Sequence, residues 1–220
     1  MENNKKLLKP KLLRWLSRLI LKIYILIFLR LKLNVKYKLP KGPKIFAVNH
    51  PTTTDPFLIY ATYPNAKMLI SEDVFKIKIL GWIFKKLGHI PTSKDKGLEA
   101  YNKAKEEILN GYSLIIFPEG YLSKKTHTLN DMKTGVVRLA LETDTPIIPI
   151  GVSIEDKGIK HFNIRVTKKL HLRSQWYMRG KYIINVGKSM KLKGNSHNKE
   201  YVKKKSIYLQ QEIQKLCRKK

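Results

Sequence analysis

An α/β fold, with a largely parallel central sheet flanked by helices and preceded by an N-terminal amphipathic membrane-associating helical segment, is what this 220-residue sequence predicts. Three observations carry that expectation. Short apolar runs alternate with helical stretches, which is the pattern of successive strand-helix-strand units. Gly88 and Gly111 stand where two of those helical stretches end. Residues 7–33 are strongly apolar yet carry cations at regular intervals.

That first segment runs from Leu7 to Leu33, with Lys11, Arg14, Arg18 and Lys22 recurring every three or four residues. The spacing predicts one helix with a basic stripe. Its longest uncharged stretch, Ile23 to Leu29, is far short of the roughly 20 apolar residues that span a bilayer. Arg30, Leu31, Lys32 and Leu33 offer no small-residue cleavage site, so the segment is expected to stay attached. A basic helix of this kind can lie in the headgroup layer; the alternative is a helix packed on the core.

The length suits one domain with an added helical segment, here residues 1–34 for the membrane-associating segment and 35–220 for the globular domain. Strands are predicted at Lys44 to Val48, Ser113 to Phe117, Ile147 to Val152, Phe162 to Val166 and Tyr182 to Val186. Helices are predicted at Pro56 to Thr62, Asp73 to Leu87, Asp95 to Asn110, Lys133 to Thr143 and Lys199 to Leu216.

Charge narrows the partners. The chain carries 45 Lys and Arg against 16 Asp and Glu, a net +29, so it calls for an anionic partner: nucleic acid, anionic lipid headgroups or an acidic carrier protein. An AT-rich genome would exchange Arg for Lys but would not deplete carboxylates. The single cysteine, Cys217, excludes an intrachain disulfide and a multi-thiolate metal site. His89, His127, His161, His171 and His197 lack the clustered spacing of metal ligands, and no glycine-rich nucleotide loop is present. No metal and no bound cofactor are expected.

Two segments carry chemistry. In FAVNHPTTTDPF, His50 follows a buried strand and Asp55 precedes Pro56, where Asp suits a helix N-cap and Pro the first helical position. If Asp55 accepts from one imidazole nitrogen, it fixes the tautomer and leaves the other nitrogen free to take a proton from a hydroxyl. With six His and six Asp in the chain, that spacing alone is weak, and Asp55 could simply cap the helix. In Phe117-Pro118-Glu119-Gly120, Pro118 stops a strand and Gly120 permits a tight turn, so Glu119 is expected at the carboxyl edge of the sheet, where ligands of open α/β sheets collect. A merely structural turn is the competing reading.

Together these segments resemble the 1-acylglycerol-3-phosphate acyltransferases and their glycerolipid acyltransferase relatives, whose signature is Asn-His-x4-Asp followed by Phe-Pro-Glu-Gly. The first motif stands as Asn49, His50 and Asp55 and the next as Phe117 to Gly120; a proline-bearing strand, Thr145 to Val152, extends the likeness over about Lys41 to Val152. A further motif, Gly followed six residues later by Arg, is met only in part, because Lys94 follows Gly88. Lys keeps the charge but loses the planar fork of Arg. After Glu119 relatives continue Thr-Arg-Ser, whereas this chain has Tyr121-Leu122-Ser123. Lys124, Lys125 and Lys133 could restore positive charge nearby, though a solvated loop suits Lys124 and Lys125 better. Met132-Lys133-Thr134-Gly135 resembles the family's Phe-Lys-x-Gly stretch.

The resemblance implies acyl transfer from an acyl-CoA or acyl carrier protein thioester to the hydroxyl of a lysophospholipid, 1-acylglycerol-3-phosphate first among them, in phospholipid synthesis. It implies His50 and Asp55 as the catalytic pair, Glu119 and Gly120 as placing the acceptor, and Lys94 and Lys133 as binding its phosphate. Another lysolipid or glycerol phosphate is the alternative acceptor. The enzyme would sit at the cytoplasmic face of a membrane rich in anionic lipids, with no nucleic-acid partner. The rival from another class is a basic RNA- or ribosome-binding protein, which leaves the joined motifs unexplained. A metal phosphoesterase built on Asn49, His50 and Asp55 lacks further ligands.

Overall fold

A computed structural model describes residues 10–123, 128–167 and 170–218. Helix α1 spans Pro10–Phe28 and strand β1 Leu29–Val35. Alternating strands and helices follow: β2 (Ile45–Val48), α2 (Asp55–Thr62), β3 (Lys67–Ser71), α3 (Glu72–Phe75), α4 (Lys78–Lys86), β4 (Ile90–Thr92), α5 (Gly97–Leu109), β5 (Leu114–Ile116), α6 (Gly135–Glu142) and β6 (Ile147–Ile154). The chain closes with β7 (Ile159–Arg165), β8 (His171–Tyr177), β9 (Gly180–Val186) and α7 (Lys199–Cys217).

Seven strands form one sheet in the order β1-β9-β6-β2-β5-β3-β4. Strands β2 to β6 run parallel, β9 pairs antiparallel with β6, and β1 runs parallel to β9. Strands that are buried on both faces must be apolar throughout, as Ile45–Val48 and Ile147–Ile154 are. Side chains alternate across β2: Phe46 and Val48 enter a core shared with α1, α2 and α4, while Ile45 and Ala47 enter one shared with α5, α6 and α7. The architecture is thus the predicted α/β fold, with helices on both faces.

The structure departs from the sequence reading at particular places. The helix expected to reach Leu33 ends at Phe28, and residues 29–35 join the sheet beside β9. The cause is legible: Leu29, Leu31, Leu33 and Val35 alternate with Arg30, Lys32 and Asn34, a strand period rather than a helical one. The basic stripe divides as well. Lys11 and Lys22 are exposed, whereas Arg14 and Arg18 are half-buried, with Arg14 donating to Asn65 Oδ1 at 3.2 Å. The outward positions of α1 include Leu12, Trp15, Ile20, Ile23 and Leu26. Among the described residues no helix is long and apolar enough to cross a membrane.

The single helix predicted over 73–87 is two, α3 and α4. The break falls at residues 76–77, and Gly81 within α4 then packs so close to the Phe75 carbonyl that a Cβ there would sit 1.9 Å from its oxygen. Gly88 and Gly111 do end their helices, with φ of +71° and +89°. Past each, the next amide reaches back to a last-turn carbonyl, His89 to Phe84 and Tyr112 to Glu107, both at 3.0 Å. Strands β3, β4 and β8 are too short or too polar to have been read from periodicity. The predicted strand over 162–166 is β7, which pairs with β8 outside the main sheet.

Candidate active site

Because β2 and β5 are parallel neighbours, the segments that leave their carboxyl ends lie side by side. One is Asn49-His50, the other Phe117-Pro118-Glu119-Gly120. Adjacency in the sheet thus joins motifs nearly seventy residues apart.

Asn49 continues β2 by proxy. Its Oδ1 accepts from the Val152 amide at 2.6 Å and its Nδ2 donates to the Val152 carbonyl at 3.1 Å, locking the strand end to β6. Glu119 then seizes the next residue: Oε1 accepts from the His50 amide at 3.0 Å, and Oε2 from the Asn130 amide at 2.7 Å. Ser123 Oγ lies 2.9 and 3.0 Å from the two carboxylate oxygens, and the Ser123 amide donates to the His50 carbonyl at 2.7 Å. Glu119 is therefore fully buried behind His50 and does not stand at an open rim. Gly120, at φ +76°, makes the turn that folds it inward, with its amide donating to Phe117 O at 3.0 Å.

Asp55 is also fully buried, and it is not spent as a helix cap: Thr54 holds the N-cap position. Its Oδ2 accepts from the Thr52 amide at 2.7 Å and faces His50 Nδ1 at 3.1 Å. Its Oδ1 accepts from Thr52 Oγ1 at 2.7 Å and from the Tyr182 hydroxyl at 2.6 Å. Four donors fill the four acceptor sites of an ionised carboxylate, which is what its burial requires. Since Asp55 accepts from Nδ1, that nitrogen carries the proton and Nε2 keeps its lone pair. The His50 side chain is 16 % exposed and stacks on Phe117, with ring centroids 4.3 Å apart. An imidazole oriented from behind and open in front can act as a general base.

Lys133 donates its amide to the Pro118 carbonyl at 2.9 Å, and its Nζ lies 3.0 Å from where a Cβ on Gly120 would sit. Its ammonium is thereby placed against the Glu119-Gly120 turn. Lys94 is exposed beyond β4, three strand positions from β2 along the same edge, or roughly 14 Å at the usual strand spacing. So the structure gathers His50, Asp55, Glu119, Gly120 and Lys133, and leaves Lys94 at the far end. Lys124, Lys125 and His127 lie outside the described residues.

Tyr182 was not among the expected site residues. It sits in β9, completely buried, and desolvation first and then Asp55 push its hydroxyl well above the ordinary tyrosine range, so it is a firm donor. A tyrosine in an alternating apolar strand reads as core, so no local signal marks it. Thr52 had one, because a residue three before an Asp commonly lends its amide to that carboxylate. Among the described residues no group of three or more His, Cys, Asp or Glu could hold a metal ion.

A family model described as Acyltransferase matches residues 30–153, which hold both motifs and run from the second residue of β1 to the next-to-last of β6. The chain belongs to the acyltransferase family. A 1-acyl-sn-glycerol-3-phosphate acyltransferase of Saccharomyces cerevisiae is 30% identical over 155 residues, 66% of this chain and 50% of that protein. A lyso-ornithine lipid O-acyltransferase of Pseudomonas aeruginosa is 26% identical over 155 residues, 69% of this chain and 57% of that one. The chain spans about a third to a little over half the length of the curated relatives it matches. The crystal structure of the PlsC acyltransferase of Thermotoga maritima covers all of this chain and 85% of its own, with a TM-score of 0.70 at 19% identity, a likeness of fold. Tyr182 lies outside the segment the family model matches.

Proposed function

We propose that the protein moves a fatty acyl group from an acyl thioester to the hydroxyl of a lysophospholipid, with 1-acylglycerol-3-phosphate the acceptor of first choice, in phospholipid synthesis. The observation that carries this is the 3.1 Å contact from His50 Nδ1 to fully buried Asp55, which leaves Nε2 at the open edge. Nε2 takes the acceptor proton as the hydroxyl oxygen attacks the thioester carbonyl carbon. The carbon-sulfur bond then breaks, and the departing thiolate receives that proton as a thiol. Asp55 stabilises the imidazolium between the two transfers, while Thr52 and Tyr182 hold Asp55. Glu119 acts through the His50 main chain as a positioning residue.

For an acceptor bearing phosphate, Lys133 is the cation at the Glu119-Gly120 turn, and Lys94 adds longer-range attraction. Relatives named for lysophosphatidate and for lyso-ornithine lipid match this chain at similar identity, so acceptor choice rests on such surrounding charge. The outward apolar positions of α1 and the net positive charge suit peripheral association with the cytoplasmic face of an anionic membrane. The donor is an acyl-CoA or acyl carrier protein thioester.

The test is detergent-solubilised full-length protein given lysophosphatidate and a labelled acyl thioester, beside His50→Ala. Labelled phosphatidate from the wild type alone supports the reading; equal yield from His50→Ala overturns the mechanism, and no transfer to any lysolipid overturns the function.

A further inference from the structure

Between β6 and β9 the chain leaves the main sheet as the β7–β8 hairpin, which the dyad does not use. Directly opposed residues of an antiparallel pair project to the same side. The register therefore puts Lys160, Phe162 and Ile164 with Trp176, Ser174 and Leu172 on one face, and His161, Asn163 and Arg165 with Gln175, Arg173 and His171 on the other. The first face is mostly apolar, and its Trp176 stacks on Phe57 of α2 with centroids 5.6 Å apart. The second face presents two arginines and two histidines, all exposed. No Asp or Glu occurs from Ile159 to Tyr177. Among the described residues neither Arg165 nor Arg173 has an ion pair with a carboxylate.

The hairpin is fastened to the catalytic loop itself. The Thr53 amide donates to the Gln175 carbonyl at 2.8 Å, the Gln175 amide to Thr53 Oγ1 at 3.0 Å, and the Tyr177 amide to Thr54 Oγ1 at 2.9 Å. Thus the segment between His50 and Asp55 occupies the free edge of β8. The basic face thus begins at the loop between His50 and Asp55 and runs away from it along β8, with Arg173 about 7 Å beyond the Gln175 anchor at ordinary strand rise.

We propose that this basic face binds the phosphates at the nucleotide end of a coenzyme A thioester, making the hairpin the donor-docking arm; the proposal rests on the acyl-transfer reading. Geometry selects the donor over the acceptor. An acylglycerol phosphate carries its phosphate a few bonds from the reacting hydroxyl, which holds that phosphate against the dyad. The pantetheine arm of coenzyme A separates the thioester from its phosphates, so they land beyond it. Size selects the nucleotide over a carrier protein, because one face of a two-stranded hairpin falls well below the roughly 800 Å² per partner of a stable protein interface. Paired guanidinium forks suit phosphate oxygens, and the imidazoles add N–H donors.

The experiment uses full-length protein and the double variant Arg165→Gln/Arg173→Gln, whose exposed positions leave the fold intact. Donors are an acyl-CoA and the acyl-pantetheine of the same chain, which lacks the nucleotide phosphates. The KM for acyl-CoA rises about tenfold or more in the variant, the loss of one or two charge-assisted contacts. Turnover stays within about twofold and the lysolipid KM is unchanged, as expected of contacts that bind without entering the chemical step. The KM for acyl-pantetheine is the same in both proteins.

Equal acyl-CoA KM values overturn the proposal, as does an equal rise for both donors. Loss of flotation with phosphatidylglycerol liposomes while the acyl-CoA KM holds overturns it in favour of a membrane contact. A wild type that transfers from neither donor refutes the acyl-transfer reading. Calorimetric titration with adenosine 3′,5′-bisphosphate then still tests the hairpin: binding by wild type and not by the variant supports it, and equal behaviour ends it.

Discussion

His50 and His89 mark two regions of one fold in which the same side chain meets opposite fates. Both are set among aromatic rings, His50 against Phe117 and His89 edge-on to Tyr60 and Phe84 at 5.2 and 5.5 Å. Behind His50 stands a carboxylate. His89 instead accepts the Met68 amide at Nδ1, at 3.1 Å, and its buried Nε2 has no hydrogen-bond partner among the described residues. Burial first, then Arg14 and Lys67, push His89 down to about 3. At neutral pH it is an uncharged core residue, while His50, backed by Asp55, is the base of the proposed mechanism. What separates the roles is what Nδ1 faces and whether Nε2 can reach a ligand.

The widest break in this comparison comes from truncating each ring. His50→Ala lowers transfer by about a thousandfold, within the range for loss of a general base, with little change in melting temperature. His89→Ala shows the reverse: turnover per folded molecule is kept, while the cavity costs about 2 to 4 kcal/mol, read by thermal denaturation. A His89→Ala protein that melts normally but has lost turnover would falsify the division of roles.

Acid sharpens the same contrast. An unfolded imidazole takes up its proton near 6.5, whereas folded His89 does so only at about 3, so across that window the unfolded state binds more protons. Stability therefore falls as the pH falls from about 6.5 toward 3. Carboxylates such as Glu142, which Lys105 holds below the usual range, also lose stability on acidification, so wild type must be compared with His89→Asn. The variant's melting temperature declines less over that range; parallel curves for the two proteins would show that His89 is not the group excluded from protonation.

Burial also governs how much of the site could be read from the chain. Asn49, His50, Asp55 and Glu119 are legible through the joined Asn-His-x4-Asp and Phe-Pro-Glu-Gly motifs, whose amide and carboxylates the structure buries with hydrogen-bond partners. Lys94 and Lys133 are exposed charges, where position along the sequence says little about distance to the dyad. Tyr182 is buried and polar but invisible, because its partner is 127 residues away and only the pairing of β9 with β6 brings them together. The helical pattern of residues 7–33 misled for a local reason, since apolar residues every second position overlap a helical stripe until the cations at 30 and 32 are counted. The hairpin face is legible only from register, which a single strand does not disclose.

Tyr182→Phe tests the part no motif announced. Removing one of the four donors leaves Asp55 with an unfilled acceptor site, which loosens the orientation of His50 without touching either substrate. Turnover falls about tenfold, in line with one hydrogen bond to a charged group, while both KM values hold. Unchanged turnover would make Tyr182 a core residue whose hydroxyl merely finds a convenient partner.

The smallest effects separate the two lysines. Lys133 has its ammonium against Gly120, adjoining the turn that carries Glu119, and the proposed function has it hold a phosphate on the carbon next to the reacting hydroxyl. Lys133→Ala raises the lysophosphatidate KM about tenfold, the worth of one charge-assisted hydrogen bond. Lys94 is exposed three strands away, and at that separation in 0.15 M salt its charge is largely screened, so Lys94→Ala shifts the KM less than about threefold. The difference has a signature beyond magnitude. Raising the salt erases the Lys94 effect and preserves most of the Lys133 effect, because direct contact is screened far less than attraction through solvent. If Lys94→Ala instead gives the larger, salt-resistant loss, the acceptor lies along the edge toward β4, and the short path from Lys133 to the dyad is not the one its phosphate takes.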